Sequence, residues 1–321
     1  NSGAQPSICA IGRLSTQSAM KFGCRSQSWY IISQKHDMIA IHARSRRSRM
    51  FVTVRHKTCP TVSVFDATTD TLVKVREVTT GIDPRSVAVM PDGSRAYIAC
   101  VGGSSGTSTG VVTKLVLATG VTTNINVGIE PQAVVISPNA TKIYVANAVS
   151  NTISVINAAT DAVTTVILPS TGASQPRALA ITNDNDTSDT DETLYVAMFF
   201  AARRAGKTGL DEGQDDQREG HVLRIDTSTD TVNATPIALA PALAGFASNG
   251  SVLDFVGTTN GAGGVDALDP TNPVSFTSFP TTCYPNQLSA IALHPTPAAN
   301  PRAYVCGTAA SPNGPFRFNV N

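Results

Sequence analysis

One phrase recurs along this chain at a period of about 45 residues, and a period of that size means one supersecondary unit stacked many times. The clearest copies are Pro84-Arg-Ser-Val-Ala-Val-Met-Pro-Asp-Gly-Ser-Arg-Ala-Tyr-Ile-Ala and Pro131-Gln-Ala-Val-Val-Ile-Ser-Pro-Asn-Ala-Thr-Lys-Ile-Tyr-Val-Ala. A third begins Pro176-Arg-Ala-Leu-Ala-Ile-Thr and resumes, after an acidic insertion, at Thr193-Leu-Tyr-Val-Ala. Each copy opens on a residue that we call its pivot. Weaker copies place further pivots at His36, Pro241 and Pro285, which makes six units in all. The longest interval, Pro176 to Pro241, contains insertions at 183–192 and 201–219.

Each unit reads as four short strands. An inner strand follows the pivot (Val87-Ala-Val, Val134-Val-Ile), and a Pro-Asp-Gly or Pro-Asn-Ala turn supplies the geometry to reverse it. The second strand carries a tyrosine (Tyr97, Tyr144, Tyr195). Third strands such as Thr152-Ile-Ser-Val-Ile-Asn and fourth strands such as Ala162-Val-Thr-Thr-Val-Ile alternate apolar and polar residues and favour β-branched ones. The composition agrees, since 24 Gly and 19 Pro provide turns and the hydrophobic content of 41% supplies a large core.

The expected fold is therefore all-β, a β-propeller of four-stranded blades. The motifs Val62-Ser-Val-Phe-Asp, the Pro84 to Gly93 run and Ile143-Tyr-Val-Ala-Asn147 resemble those of the YVTN family of propeller repeats. That resemblance implies a toroidal, usually extracytoplasmic binding or surface protein of microbes, related in form to lactonase-like propellers. The propeller is expected over 36–321, preceded by an irregular segment over 1–35. Six blades closed by a strand near 28–34, built on Trp29-Tyr-Ile-Ile-Ser33, is the first expectation for the ring. The alternative is a fragment of a seven- or eight-bladed parent.

Candidate sites follow from where the repeat varies. The residues after four pivots, Arg85, Gln132, Arg177 and Asn286, are expected to ring one mouth of a central channel as a ligand site or to tie neighbouring blades together. Two arginines there favour an anionic ligand, whether a small molecule or a protein surface. Asp184, Asp186, Asp189 and Asp191 crowd one short loop, as the oxygen ligands of Ca²⁺ do, although the spacing is not that of an EF-hand. The 201–219 insertion is a candidate partner-binding loop.

A net charge of +1 gives no expectation of nucleic acid, no apolar run is long enough to span a membrane, and no signal peptide is visible. The cysteines show no zinc spacing and read as mostly buried thiols. Gly102-Gly-Ser-Ser-Gly106 has the letters of a nucleophile elbow but lies between two strands, and the five histidines are scattered. These observations favour a non-catalytic binding or surface propeller, and the resemblance implies that it is exported. The alternatives are a lactonase-like hydrolase with its site at the channel mouth, and an accessory domain of a larger redox or cell-surface protein.

Overall fold

The computed structural model describes residues 20–24, 27–31, 43–44, 49–54, 60–66, 73–102, 109–169, 172–207, 218–240, 242–244, 281–285, 287–293 and 302–308. Among them there is no helix, and so none long and apolar enough to cross a membrane. Every strand pairing among the described residues is antiparallel. Strands β1 (Met20–Cys24), β2 (Gln27–Ile31) and β3 (Ala43–Arg44) form a small sheet at the start.

Among the described residues blade one has three strands, β4 (Arg49–Val54), β5 (Thr61–Asp66) and β6 (Val73–Thr79). Blade two is a four-stranded meander of β7 (Pro84–Val89), β8 (Arg95–Cys100), β9 (Val111–Val116) and β10 (Thr122–Asn126). Blade three repeats it with β11 (Pro131–Ile136), β12 (Lys142–Asn147), β13 (Thr152–Asn157) and β14 (Val163–Ile167).

Blade four begins with β15 (Ser174–Ile181) and β16 (Thr193–Phe200) and then leaves the pattern for a hairpin of β17 (Ala202–Arg203) and β18 (Arg218–Glu219). It resumes with β19 (His221–Asp226) and two short outer strands, β20 (Thr231–Val232) and β21 (Ile237–Ala238). Strands β22 (Ala242–Ala244) and β23 (Thr281–Cys283) pair with each other. A terminal pair of strands, β24 (Gln287–Leu293) and β25 (Ala303–Thr308), follows; we call it the terminal sheet, and a single pairing, Phe200 opposite Gln287, joins it to β16 of blade four.

The period-2 alternation of the strands explains how the blades stack. In β8, Ala96, Ile98 and Cys100 pack back onto Val62, Val64 and Val78 of blade one. The intervening Tyr97 and Ala99 pack forward onto Ile143, Val145 and Ile156 of blade three. Blade three does the same, its Tyr144 and Ala146 meeting Leu194, Val196 and Met198 of blade four. Both faces of β8 and β12 are thus buried, so these second strands carry no polar alternation and read as near-continuous apolar runs. Meanders packed face to face in chain order are the stacking of propeller blades.

Polar side chains fasten each blade to its successor. Arg95, the first residue of β8, donates from Nη1 to the Ala158 carbonyl of blade three at 2.9 Å. Lys142, at the same place in β12, donates from Nζ to the Thr227 carbonyl of blade four at 2.7 Å and to Asp230 Oδ2 at 2.8 Å. Lys114 of blade two pairs with Asp161, which stands where Asp230 stands in the next blade. Asp161 and Asp230 both have positive φ (60° and 54°), the left-handed turn conformation that Gly120 supplies in blade two at φ 80°.

The tyrosines of this ladder differ in one respect. Tyr144 Oη donates to Asp230 Oδ1 at 2.9 Å, and burial first, then the Asp230 charge, pushes its phenol far above the ordinary value. Tyr97 Oη and Asp161 Oδ1 are both buried without a hydrogen-bond partner among the described residues. Tyr144→Phe is therefore expected to cost about 1–2 kcal/mol, and Tyr97→Phe less than about 0.5 kcal/mol, because only the first loses a made bond. Urea-unfolding midpoints of the two variants check the difference.

Several expectations need correcting. Gln27–Ile31, within the expected closing strand, pairs with Met20–Cys24 and Ala43–Arg44 and, among the described residues, with no strand of the last unit. The expected inner strand of the first unit, 39–42, lies outside the described residues, and so does 103–106 of the glycine-serine loop. Among the described residues the fifth unit forms no blade. Its expected inner strand, Ala242–Ala244, pairs with Thr281–Cys283, and the terminal sheet packs directly on blade four through Leu288 against Ala197 and Val222. The rest of that unit, 245–280, is outside the described residues.

The sixth pivot also shifts. Pro84 pairs with Cys100 ahead of a bulge, and Leu288 pairs with Gly307 ahead of the same bulge. Leu288 is therefore the true counterpart of Pro84, and the alignment continues to the shared proline (Met90-Pro91, His294-Pro295). Of the expected buried thiols, Cys100 is buried and its thiol is pushed up to about 11 by burial, whereas Cys306 is exposed.

Candidate functional site

Antiparallel pairing assigns the connections to two ends. The pivot loops and the connections between second and third strands share one end, because Pro84 lies opposite Cys100 and Cys100 opposite Val111. The inner turns and the third-to-fourth-strand turns share the other.

At the pivot end, the residue before each proline takes a left-handed conformation: Asp83 (φ 54°), Glu130 (φ 58°) and Gln175 (φ 61°). This conformation is costly for a non-glycine residue and is held by specific bonds. The Asp83 carbonyl accepts from Val101 N at 3.1 Å and that of Glu130 from Ala148 N at 2.9 Å. The residue after the proline then sits in a bulge.

The expected channel-mouth set occupies these bulges. Arg85 Nη2 donates to Asp83 Oδ2 at 2.6 Å, and Gln132 Nε2 to Glu130 Oε1 at 2.9 Å. Gln132 is only 8% exposed. Both side chains thus close their own pivot loop. Among the described residues they do not bridge blades; that contact is made one residue later, where Val134 N donates to Ser86 Oγ at 3.3 Å. Arg177 follows Gln175-Pro176, has no carboxylate at the matching position, and lies over the Phe199 ring at 5.2 Å. Asn286 lies outside the described residues, and by the corrected register Ser289 is the counterpart of Arg85. An acid two residues before the bulge was readable in Asp83-Pro-Arg85 and Glu130-Pro-Gln132 and would have given the pairing.

The repeat breaks most strongly at this end of blade four. Blade three connects its second and third strands with a short turn, Ala148 to Asn151, whereas blade four inserts the β17–β18 hairpin. At its base Arg204 Cζ stands 4.3 Å above the Tyr284 ring, and Glu219 Oε2 lies 3.9 Å from Arg204 Nε. Glu219 Oε1 is 3.3 Å from His221 Nε2, and His221 is buried, with Nδ1 lacking a partner among the described residues. A cation, an aromatic ring, a carboxylate and an imidazole therefore converge beside the pivot of the terminal sheet. Sequence reasoning found the insertion but not this cluster, because Tyr284 and His221 come from different units.

At the opposite end the acidic loop divides. Asp184, Asp186 and Asp191 are exposed, with one carboxylate oxygen of each within 4.8 Å of the others, a spacing that suits three ligands of a hard cation. Asp189 does not join them. It is 5% exposed and accepts from Ser137 Oγ at 2.6 Å, Asn139 N at 2.8 Å, Thr141 N at 3.1 Å and Thr141 Oγ1 at 2.5 Å. These donors belong to the inner turn of blade three, so Asp189 is an inter-blade tie instead of a fourth ligand. Burial pushes its carboxyl up, but the hydrogen bonds from Ser137, Thr141 and the backbone outweigh this and hold it below the ordinary value.

No protein-family model and no curated protein matches the chain. Solved structures similar to it include hydrazine synthase of Kuenenia stuttgartiensis, at 20% identity and a TM-score of 0.43, over 60% of this chain and 46% of that one. A functionally unknown protein from Desulfotomaculum acetoxidans DSM 771 is similar at 14% identity and a TM-score of 0.44, over 70% of this chain and 68% of that one. The β-propeller domain of Cps50 (Swd1) from Myceliophteria thermophila is similar at 13% identity and a TM-score of 0.41, over 63% of this chain and 57% of that one. The chain thus spans less than half of the hydrazine synthase chain it matches.

Proposed function

We propose that this chain is a binding propeller of the YVTN type, exported by a microbe, which recognises an anionic ligand or the acidic surface of a partner protein at its pivot end. The observation that carries the reading is the blade-four hairpin, where a regular scaffold departs from its own repeat and sets Arg204 on Tyr284; in the same blade Arg177 lies on Phe199. Guanidinium groups stacked on aromatic rings are preorganised for carboxylate or phosphate partners. Irregular loops on rigid scaffolds are common places for recognition.

The test uses hexaglutamate and tripolyphosphate as probes in titration calorimetry. Binding of at least one probe should weaken about 10-fold or more in an Arg177→Ala, Arg204→Ala double variant, and it should weaken with salt. Replacing 201–219 with the four-residue turn of blade three should abolish it while the unfolding midpoint stays within a few degrees. Absence of binding to either probe at millimolar concentration sinks the anionic reading.

A second reading, a lactonase-like hydrolase, is favoured by the Glu219–His221 contact, in which a carboxylate orients an imidazole as a general base requires. Turnover of a lactone panel that His221→Ala removes would rank it first.

A further inference from the structure

An ion pair ties blade two to blade three, Lys114 to Asp161, and the seam one blade earlier is built differently. Both places can be matched there. Arg49 pairs with Asp66 as Arg95 pairs with Val116, so Val64 holds the register position of Lys114. Gly120 N donates to Val116 O at 2.7 Å as Asp161 N donates to Asn157 O at 2.9 Å, so Gly120 holds the place of Asp161. Valine and glycine thus stand where the next seam has a cation and a carboxylate. One seam further on the carboxylate is present again, as Asp230.

A cation nevertheless enters the seam between blades one and two, from the neighbouring strand. Arg76 of β6 pairs across the sheet with Val64, and its guanidinium lies over Gly120, where a Cβ would be 2.3 Å from Nη1 and 3.1 Å from Cζ. Nη1 is buried without a hydrogen-bond partner among the described residues. Arg76 also lines a cavity of about 10 Å³ with Val64, Leu115 and Leu117, room for one water-sized or monatomic group. Those three apolar walls belong to the core shared by blades one and two. A buried water needs several polar partners, and this lining offers only the guanidinium. A guanidinium turned into an apolar seam is stabilised by a counter-charge.

We propose that this seam is a binding site for a monatomic anion of the halide class, such as chloride, with Arg76 as its ligand. The halide performs from outside the chain what Asp161 and Asp230 perform from within it, a negative charge beside the third-to-fourth-strand turn. Glycine at 120 leaves the space, since a side chain there meets Arg76. The turn lies at the end opposite the pivots, so the site is independent of what the pivot end binds.

Thermal unfolding of the full chain in sodium chloride, sodium bromide and sodium gluconate at one ionic strength tests this, because gluconate is too large for the cavity. Chloride and bromide are expected to raise the midpoint by ~3 °C over gluconate. Arg76→Met removes the ligand and should erase this increment. Gly120→Asp should erase it too, by supplying the carboxylate in the left-handed conformation that Asp161 and Asp230 already adopt. Crystals soaked in bromide should show an anomalous peak beside Arg76 Nη1. Three results overturn the proposal. One is an increment that survives in either variant, which is a general salt effect. Another is a soaked crystal with no anomalous peak in the seam. The last is a peak without any increment in the midpoint, an adventitious ion only.

Discussion

Asp189→Ala is expected to lower stability by about 3 kcal/mol, the largest loss from any single polar side chain described here. The truncation strips four donors of their acceptor at once, two of them backbone N–H groups in the inner turn of blade three. It also unfastens two blades from each other, so the loss should show as a lower urea midpoint with an unchanged slope. Asp189→Asn keeps part of the network and should cost roughly half as much.

The same carboxylate gives a pH signature. Its folded-state value is depressed, so the folded protein holds the ionised form and binds fewer protons than the unfolded chain. The stabilisation is complete above the unfolded carboxyl value of about 4 and is lost as pH falls through the lower, folded value. Wild-type stability should therefore drop below about pH 4, and the drop should be shallower in Asp189→Asn. Equal slopes in the two proteins would remove Asp189 as the cause.

Gly110→Ala is the second large effect, expected to cost about 3 kcal/mol or more. A Cβ at Gly110 would lie 2.3 Å from Pro131 Cδ and 2.5 Å from the Gly128 carbonyl oxygen, and neither neighbour has a rotamer with which to retreat. The backbone is also fixed there, since Gly110 N donates to Gly128 O at 3.0 Å and its carbonyl accepts from Val127 N at 2.9 Å. Blade two and the pivot proline of blade three therefore meet at backbone distance. Thermal unfolding of Gly110→Ala beside Gly93→Ala separates causes, because a Cβ at Gly93 meets nothing within 4 Å and only its φ of 73° resists.

The meanders of blades two to four were legible because each blade repeats its neighbours' apolar positions at both the strand and the blade period. The turns were legible for the same reason, Asp92-Gly93 and Asn139-Ala140 filling equivalent places. What failed had no second copy to check it. Pro285 was a plausible pivot by residue type, yet the bulge and pairing select Leu288, whose side chain gives no turn signal. Ala242–Ala244 has the apolar letters of an inner strand but pairs with Thr281–Cys283, and no local pattern carries that long-range choice. Among the acidic residues, composition grouped four carboxylates, whereas a partner turn about 50 residues upstream selects one of them. Contacts between units are the part of such a fold that single-unit reading does not reach.

The forward-reaching side chains have a consequence for how the chain is made. Arg95 and Lys142 bond to carbonyls of the blade that follows, and Tyr144 to a carboxylate there. During synthesis each of these groups leaves the ribosome well before its partner, at 5–20 residues per second a delay of several seconds. In that interval a finished sheet still carries an unanswered cation and an uncovered tyrosine, so the nascent molecule does not settle blade by blade but waits, at every step, for the next one to arrive.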